Sequence, residues 1–187
     1  MKRIFVAIDL SDEAGTLADA YVQNLRNDFR ELRVGWEKKE KFHLTLKFLE
    51  EIEEKEIAAL IKAVESVAAV IPAFRLQIAR CGHFGKRILW LGVFDESGNL
   101  SKFHQLLERE CGEIGLPRET KRFNPHLTIA RLREPHKSSG LIKTHLERDF
   151  PPVEFTVSEI VVYQSLPASA GSQYSKIKSI TLTNRPG

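Results

Sequence analysis

The chain is poor in cysteine and in long apolar stretches, and both shortages narrow the classes of protein to which it can belong. Two cysteines, Cys81 and Cys111, occur in 187 residues. They are too few for a disulfide framework and too far apart to indicate a metal site. The longest apolar run is far shorter than the roughly 20 residues of a membrane helix. We therefore expect a soluble cytoplasmic protein that does not associate with membranes.

A large excess of either charge is also lacking. Lysine and arginine number 28 and aspartate and glutamate 25, which gives a formal net charge of +3. A balance this mild permits an anionic partner without requiring one. No linker or low-complexity segment divides the sequence, so we expect residues 1–187 to form one domain. We also expect the protein to be a monomer.

One short motif, by contrast, is present twice. The sequence His-Leu-Thr-Leu at 43–46 recurs 83 positions later as His-Leu-Thr-Ile at 126–129. Both copies lie in runs that are typical of β-strands, 42–49 and 126–132. Strand side chains alternate between faces, so the histidine and the threonine of each copy share one face. The intervening leucines, and Phe48, are expected to face the core. Each strand thus offers one imidazole and one hydroxyl side by side.

The rest of the chain repeats at nearly the same spacing. The segments 3–8, 60–62 and 74–78 have counterparts offset by 84, 81 and 81 positions, at 87–93, 141–143 and 155–160. We interpret this as a duplicated β-α-β-α-β unit, with repeats of about 1–83 and 84–187. Two such units around a pseudo-twofold axis can bring equivalent strands together across a groove. A chance likeness of two amphipathic strands explains the apolar positions but not the recurring His and Thr.

Hydrophobic periodicity and turn residues predict an alternation of helices and strands. The predicted helices are 11–29 with Ser11 as N-cap, 53–70, 101–113 and a short one ending near 148. Besides the two motif strands, the predicted strands are 3–9, 73–81, 87–94, 154–164 and 174–183, with a hairpin turn at 82–85 and a loop at 165–172. Strands that return through short turns, interleaved with helices, indicate an α+β fold with antiparallel pairing.

Two histidines facing each other across a groove are suited to proton transfer, because imidazole titrates near neutral pH. His43 and His126 are therefore the candidate acid and base, and one can remove a proton from a nucleophile while the other protonates a leaving oxygen. The hydroxyls of Thr45 and Thr128 have the reach to hydrogen-bond phosphate oxygens held between the imidazoles. This chemistry suits a phosphodiester and requires neither metal nor other cofactor.

Two other interpretations of the same residues remain open. A catalytic zinc site using both histidines needs a third protein ligand, and none recurs on the strand faces, where Lys47 and Ala130 follow the threonines. Alternatively, the histidines are core residues hydrogen-bonded to threonines, which leaves their matched spacing unexplained.

Paired His-x-Thr motifs in a duplicated α+β chain resemble the 2H phosphoesterase superfamily. More narrowly, the chain is similar to the bacterial and archaeal RNA 2′,3′-cyclic phosphodiesterases, also called 2′-5′ RNA ligases. The likeness rests on the segments 5–10, 43–49 and 122–131, with Glu50 in place of a usual glycine. Near the end, Gly171 and Tyr174 match a Gly-x-x-Tyr element.

This resemblance implies a bilobal fold around a positively charged cleft that opens RNA 2′,3′-cyclic phosphates to 2′-phosphomonoesters. It implies His43 as proton donor and His126 as proton acceptor, roles that the sequence symmetry alone does not assign. Arg131 corresponds to the family's usual cation after the second motif, although strict alternation would aim it away from His126. The parity of Lys47 makes it a second candidate phosphate contact. The implied partners are RNA ends, among them tRNA fragments, or small cyclic nucleotides, and 2′-5′ ligation is the alternative reaction. A non-catalytic RNA-binding module is the alternative from another class, although binding alone does not require matched proton-transfer groups.

Weaker candidates lie near the motifs. Four aromatic residues are candidate base-stacking groups, although a place in the core explains each of them better: Trp36, Phe42, Phe123 and Tyr174. A basic cluster precedes and follows the second motif: Arg118, Lys121, Arg122, Arg131 and Arg133. Phe84, Lys86 and Arg87 in the predicted hairpin are possible RNA contacts. The remaining histidines are expected to be surface or loop residues: His83, His104, His136 and His145.

Overall fold

The computed structural model describes residues 1–168 and 171–183. Within them the chain forms nine strands and four helices. The strands are β1 (Lys2–Asp9), β2 (Val34–Trp36), β3 (His43–Ile52), β4 (Phe74–Phe84), β5 (Ile88–Phe94), β6 (His126–Leu132), β7 (Val153–Val157), β8 (Glu159–Ala168) and β9 (Gly171–Thr181). The helices are α1 (Asp12–Asp28), α2 (Glu54–Ala68), α3 (Asn99–Glu113) and α4 (Ser139–Glu147). Short 3₁₀ turns occur at Lys39–Lys41 and Pro135–Lys137.

The helix starts follow from local capping. The Ser11 side chain accepts a hydrogen bond from the Ala14 amide at 3.2 Å, which satisfies one of the free amides of the first turn of α1. At α2, Glu53 and Glu56 form a reciprocal capping box. The predicted N-cap of α1 is therefore confirmed.

The strands form one sheet in the order β7-β4-β5-β6-β3-β1-β8-β9, and every named strand pair is antiparallel. The buried faces of the helices and one face of the sheet share a single apolar core, which includes Ile4, Val6 and Ile8 of β1 and Leu127 and Ile129 of β6. The opposite face of the central strands is open. The predicted α+β fold with antiparallel pairing is thus confirmed.

The two motif strands meet at the middle of this sheet but pair only briefly. Their ladder consists of the single pair Leu44↔Leu127. Beyond it β3 leaves β6, and β2 takes its place, with Trp36 opposite Ala130 and Val34 opposite Leu132. Because the strands separate immediately after touching, the sheet opens into a cleft with one motif on each side.

Each half of the sheet contains a strand from the other half of the sequence. β4 pairs with β5, whereas β8 pairs with β1. The predicted equivalence of 3–8 with 87–93 is wrong by one residue. Ala7 lies opposite Thr45 and Trp90 opposite Thr128, so the true offset is 83, as in the motif strands. The residues at an offset of 84 resemble each other in type. A shift of one residue exchanges the two faces of a strand, however, so only the strand pairing shows which residues are equivalent.

The predicted strand at 154–164 is also two strands rather than one. The chain turns at Ser158, so that β7 pairs with β4 and β8 pairs with β1 at the opposite end of the sheet. The predicted hairpin at 73–94 is confirmed, but its turn lies at 85–87 instead of 82–85. In the predicted loop 165–172, β8 runs on to Ala168 and β9 begins at Gly171, while residues 169 and 170 lie outside the described part.

Candidate active site

The structure brings the two His-Thr pairs together on the open face of the sheet. Continuing the antiparallel register from Leu44↔Leu127 puts His43 level with Thr128, and Thr45 level with His126. All four side chains line one cleft with a volume of about 620 Å³. Within the described residues, neither threonine hydroxyl has a hydrogen-bond partner in the protein, so both are available to a ligand.

The two histidine rings are oriented in the same way. His43 Nδ1 lies 2.7 Å from the carbonyl oxygen of Lys41, and His126 Nδ1 lies 2.7 Å from that of Asn124. A carbonyl can only accept, so each Nδ1 must carry the hydrogen. In the neutral ring the lone pair is then on Nε2, which can accept a proton. In the charged ring Nε2 can donate one.

Aromatic side chains support both imidazoles. The ring of His43 lies 4.8 Å from that of Phe5 and 5.4 Å from that of Tyr174. The ring of His126 lies 4.8 Å from that of Phe84, in an edge-to-face arrangement. These contacts hold both rings in one orientation. A side chain that is to act on a reacting atom requires such a fixed orientation.

The charges around the two histidines differ. Asp9 is the β1 residue opposite His43, and its carboxylate accepts hydrogen bonds from the Tyr163 hydroxyl at 2.8 and 2.9 Å. At the equivalent position beside His126 stands Gly92. Burial lowers the pKa of both histidines. Only for His43 does a carboxylate, that of Asp9, join the backbone carbonyl in opposing this decrease in pKa.

A β-bulge in each motif strand changes the side-chain alternation. The register of β3 with β1 shifts at Leu46, and that of β6 with β5 shifts at Ile129, directly after each threonine. As a result Arg131 lines the cleft together with His126 and Thr128, and its contact with phosphate stays a prediction. The bulge is the reason that strict alternation failed for this residue.

The same bulge contradicts the prediction for Lys47. Its side chain points away from the cleft, is 5% exposed, and donates to Glu108 and to the Pro117 carbonyl, both at 2.7 Å. Lys47 is therefore a buried ion-pair residue and not a phosphate contact. Phe48, which was expected in the core, is 50% exposed and lines the cleft instead.

The cleft is strongly cationic. Besides Arg131, its lining includes the four cations Arg3, Lys38, Lys41 and Arg133, against one carboxylate, Glu37. Glu37 lies 3.6 Å from Arg131. Most of these residues come from β1 and the segment 35–41, which sequence reasoning did not connect to the motifs. The only signal in the sequence for these residues is their positive charge, in β1 and in the segment shortly before β3.

A model of the 2′-5′ RNA ligase superfamily matches residues 15–167. The chain belongs to this superfamily. It is 32% identical to an RNA 2′,3′-cyclic phosphodiesterase of Thermotoga maritima, over 92% of this chain and 91% of that protein. A protein of the same name from Aeropyrum pernix is 29% identical over 75% of this chain and 82% of its own. The resemblance drawn from the two motifs is therefore confirmed.

Solved structures share the fold of this superfamily member. TT0787 of Thermus thermophilus superposes with a TM-score of 0.79 at 23% identity, covering 96% of this chain and 97% of that one. E. coli LigT complexed with 3′-AMP superposes with a TM-score of 0.75, also at 23% identity, covering 97% and 98%.

The weaker candidates separate into two groups. Trp36 and Tyr174 line the cleft of this superfamily chain. Phe42 is buried in the core, and Phe123 stacks on His104 with ring centroids 3.9 Å apart. Of the basic cluster, only Arg131 and Arg133 line the cleft.

Two of the other histidines contradict the expectation of surface positions. His104 on α3 is buried, and His145 on α4 is 0% exposed. His145 Nε2 donates to the carbonyl oxygens of Gly82 and Trp90, while its Nδ1 accepts from Tyr21. Burial lowers the pKa of His145, consistent with a neutral ring that links α1, α4 and the β4–β5 hairpin.

Within residues 1–168 and 171–183, no group of three or more His, Cys, Asp or Glu residues is placed to hold a metal ion. Over the same residues, no helix has the length and apolar character needed to span a membrane.

Proposed function

We propose that this superfamily member hydrolyses RNA ends bearing a 2′,3′-cyclic phosphate and leaves a 2′-phosphomonoester. The observation that carries the proposal is the pair of equally oriented imidazoles, each with a free threonine hydroxyl beside it, on one cationic cleft. An anionic diester between two such groups can be attacked from one side while its leaving oxygen is protonated from the other.

In the proposed reaction, neutral His126 accepts a proton from water at Nε2 as the water oxygen bonds to phosphorus. The bond from phosphorus to the 3′-oxygen breaks, and that oxygen takes the Nε2 proton of charged His43. Both Nδ1–H groups stay on their carbonyl acceptors throughout, so neither ring has to turn. Each proton transfer of this kind typically contributes about 10²–10⁴-fold in rate.

The two roles are assigned from the surrounding charges. The proton donor must begin as imidazolium, and a neighbouring carboxylate favours that form. Asp9 supplies this carboxylate next to His43, whereas Gly92 cannot supply one next to His126. This carboxylate supports His43 as the acid and His126 as the base, against the larger effect of burial, which lowers the pKa of both rings.

The phosphate is held by the remaining polar groups of the cleft. Thr45 and Thr128 offer hydroxyls on the same face as the histidines, and the Arg131 guanidinium can pair with a non-bridging oxygen. The exposed ring of Phe48 provides an apolar surface on which the terminal base can stack.

Relatives support the same substrate class. The matched proteins of Thermotoga maritima and Aeropyrum pernix are named for cleavage of RNA 2′,3′-cyclic phosphodiesters. E. coli LigT has been crystallised with a nucleoside monophosphate, 3′-AMP. A protein of this fold that binds a nucleotide is consistent with a terminal nucleotide as the reacting group.

The direct test is incubation with an oligonucleotide that ends in a 2′,3′-cyclic phosphate, in the presence of EDTA. We expect complete conversion to the 2′-phosphate, separated from the 3′-phosphate by chromatography. No conversion, or conversion only after zinc is added, would contradict the mechanism. A 3′-phosphate product would reverse the assignment of the leaving oxygen. RNA binding without turnover would favour a non-catalytic RNA-binding module.

The superfamily's name makes 2′-5′ ligation the second candidate. A 5′-hydroxyl RNA replaces water as the nucleophile, and the same acid and base serve both reactions. Cleaved tRNA half-molecules supplied at high concentration should then join detectably. Exclusive hydrolysis under these conditions would count against ligation.

A further inference from the structure

Beside the active-site cleft the protein has a second groove of similar size, between the tip of the β4–β5 hairpin and α4. Its volume is about 600 Å³. We define the second groove by the lining residues that matter here: Lys86, Arg87, His136, Ile142, Lys143 and Leu146. None of the groups in the proposed reaction belongs to it, so the function proposed for the cleft does not account for it.

The charges of the second groove suit a polyanion. Lys86 and Arg87 are exposed, and within the described residues no carboxylate forms an ion pair with either of them. Lys143 lies 3.9 Å from Glu147, which is the one carboxylate among the described residues that line the groove. Cations that lack intramolecular partners can bind phosphates without first breaking an ion pair.

The groove also offers an apolar surface. Leu146 is a large side chain on α4 that is 48% exposed, and Ile142 lies one turn before it on the same helix face. Cations next to an exposed apolar surface match the two parts of single-stranded nucleic acid, its phosphates and its bases.

The strands β5 and β6 bring the second groove next to the active-site cleft. Arg131 and Arg133 line the cleft near the end of β6. The Leu132 amide between them donates to the Arg87 carbonyl at 2.7 Å, and Ile88 lies opposite Arg131. The backbone that carries Arg87 and Lys86 therefore adjoins the end of the cleft at which Arg131 and Arg133 lie.

The hairpin that carries these cations also contacts the catalytic group. The ring of Phe84, the last residue of β4, lies 4.8 Å from the ring of His126. A strand of RNA whose last nucleotide is at His126 thus has the hairpin tip as its neighbouring surface.

We propose that the second groove binds the RNA strand on the 5′ side of the terminal cyclic phosphate. This inference rests on the proposed function, because it takes the reacting end to be in the cleft. It adds that the substrate is an RNA chain of several nucleotides, whose backbone reaches Lys86, Arg87 and Lys143. A cyclic mononucleotide fills the cleft alone and makes no use of the groove.

The test compares two substrates with one triple variant, Lys86→Gln/Arg87→Gln/Lys143→Gln. We expect KM for a ten-nucleotide RNA with a 2′,3′-cyclic phosphate to rise about 10-fold or more at low salt. KM for a cyclic mononucleotide should change less than about 2-fold. The dependence of log kcat/KM on log salt for the oligonucleotide should become shallower by up to about 2, since each lost phosphate contact contributes about 0.7.

A matched control removes the same charge elsewhere. Lys55→Gln/Lys62→Gln/Lys102→Gln changes three exposed residues on α2 and α3 and should leave both substrates unaffected. An equal loss in this control would mean that the general field of the protein, not the groove, attracts RNA. Unchanged oligonucleotide kinetics in the groove variant, or an equal loss for both substrates, would overturn the proposal.

A failure of the proposed function can be distinguished from a failure of the groove proposal. If the parent protein converts neither substrate, fluorescence anisotropy with the same oligonucleotide still measures binding. We expect the groove variant to bind about 10-fold more weakly than the parent and the control variant to bind equally well. Equal affinity in all three proteins would contradict the groove proposal on its own.

Discussion

The strands β3 and β6 have the same backbone and different charges. Each begins with a histidine whose Nδ1 bonds to the carbonyl two residues earlier, and each has a bulge after its threonine. The residues that follow are not alike. The position after the bulged residue is Lys47 in β3 and Ala130 in β6, and the next cleft position is Phe48 in β3 and Arg131 in β6.

The difference teaches which parts of a duplicated site must stay equal. The features common to both strands set the direction of Nε2 and of the hydroxyl, which both proton transfers of the proposed reaction require. In that proposal, the features that differ distinguish the general acid from the general base, and the side that stacks on a nucleobase from the side that binds phosphate. Two similar strands would thus serve an asymmetric reaction because the side chains around the two histidines differ in charge.

The largest expected effect comes from removing either imidazole. His43→Ala and His126→Ala should each lower kcat by about 10²–10⁴-fold, because each loses one proton transfer. The double variant should be scarcely slower than either single variant, since the two groups act in one step. Single-turnover rates measure this, with a binding assay to check that affinity persists. A fully active His43→Ala protein would disprove the assignment.

The next effect concerns the buried lysine that only β3 carries. Lys47→Met leaves Glu108 without its partner at a largely buried site, which typically costs about 3–5 kcal/mol of unfolding free energy. Urea unfolding measures the loss. Lys47→Met/Glu108→Leu should recover part of it because no unpaired charge remains. A loss below about 1 kcal/mol in the single variant would show that the pair contributes little.

Variants at the cleft positions that follow the two bulges, Phe48 and Arg131, should separate base stacking from phosphate binding. Arg131→Met should lower kcat/KM by roughly 10- to 150-fold, the loss of a hydrogen bond to a charged phosphate. Phe48→Ala should mainly raise KM, since base stacking on an aromatic ring is worth about 1–3 kcal/mol. Steady-state kinetics with a cyclic mononucleotide test both. An unchanged kcat/KM for Arg131→Met, or an unchanged KM for Phe48→Ala, would contradict these roles.

The threonines should behave alike. Thr45→Ala and Thr128→Ala each lose a hydroxyl that has no protein partner among the described residues, so the expected cost is that of one bond to phosphate, about 1–3 kcal/mol in kcat/KM. Thr→Ser at either position keeps the hydroxyl and serves as the control. If one Thr→Ala variant were fully active, the phosphate would be held from one side only.

The smallest effect is a shift in pH dependence. The Asp9 carboxylate raises the pKa of His43, so Asp9→Asn should lower it. Because the acid must be protonated, the alkaline limb of the kcat/KM profile should move to lower pH, and the acidic limb should move less, since each limb belongs to the coupled histidine pair. Tyr163→Phe, which keeps the carboxylate, is the control. A shift of the alkaline limb to higher pH would contradict the role of Asp9.

Much of this site follows from the sequence. The period-two pattern and the repeated motif predict two strands with His and Thr on one face, and the structure has them on the cleft. The sequence predicts Lys47 on the cleft and Phe48 in the core, and the structure has the reverse. The cause is a bulge, which adds one residue to the strand and is not marked by any glycine or proline. The burial of His145 could not be predicted, because its hydrogen-bond partners are distant in the sequence: Tyr21, Gly82 and Trp90.

The separation of β7 from β8 was missed for a similar reason. β7 alternates buried and exposed residues, and β8 has the apolar run 160–162 near its start, but no glycine or proline separates the two strands. Only pairing partners more than 70 residues away distinguish them. Local patterns predict that a strand exists but not which strand lies next to it.

The exchange of β4 and β8 between the halves of the sheet has a consequence for how activity is lost. Unfolding one half of the sequence would remove a hydrogen-bonded neighbour from the other half and expose an unpaired edge there. We expect the two halves to melt in one cooperative transition. A molecule that keeps one histidine in place while the other is released should then be rare, and partial heating should yield a mixture of fully competent and fully inert molecules.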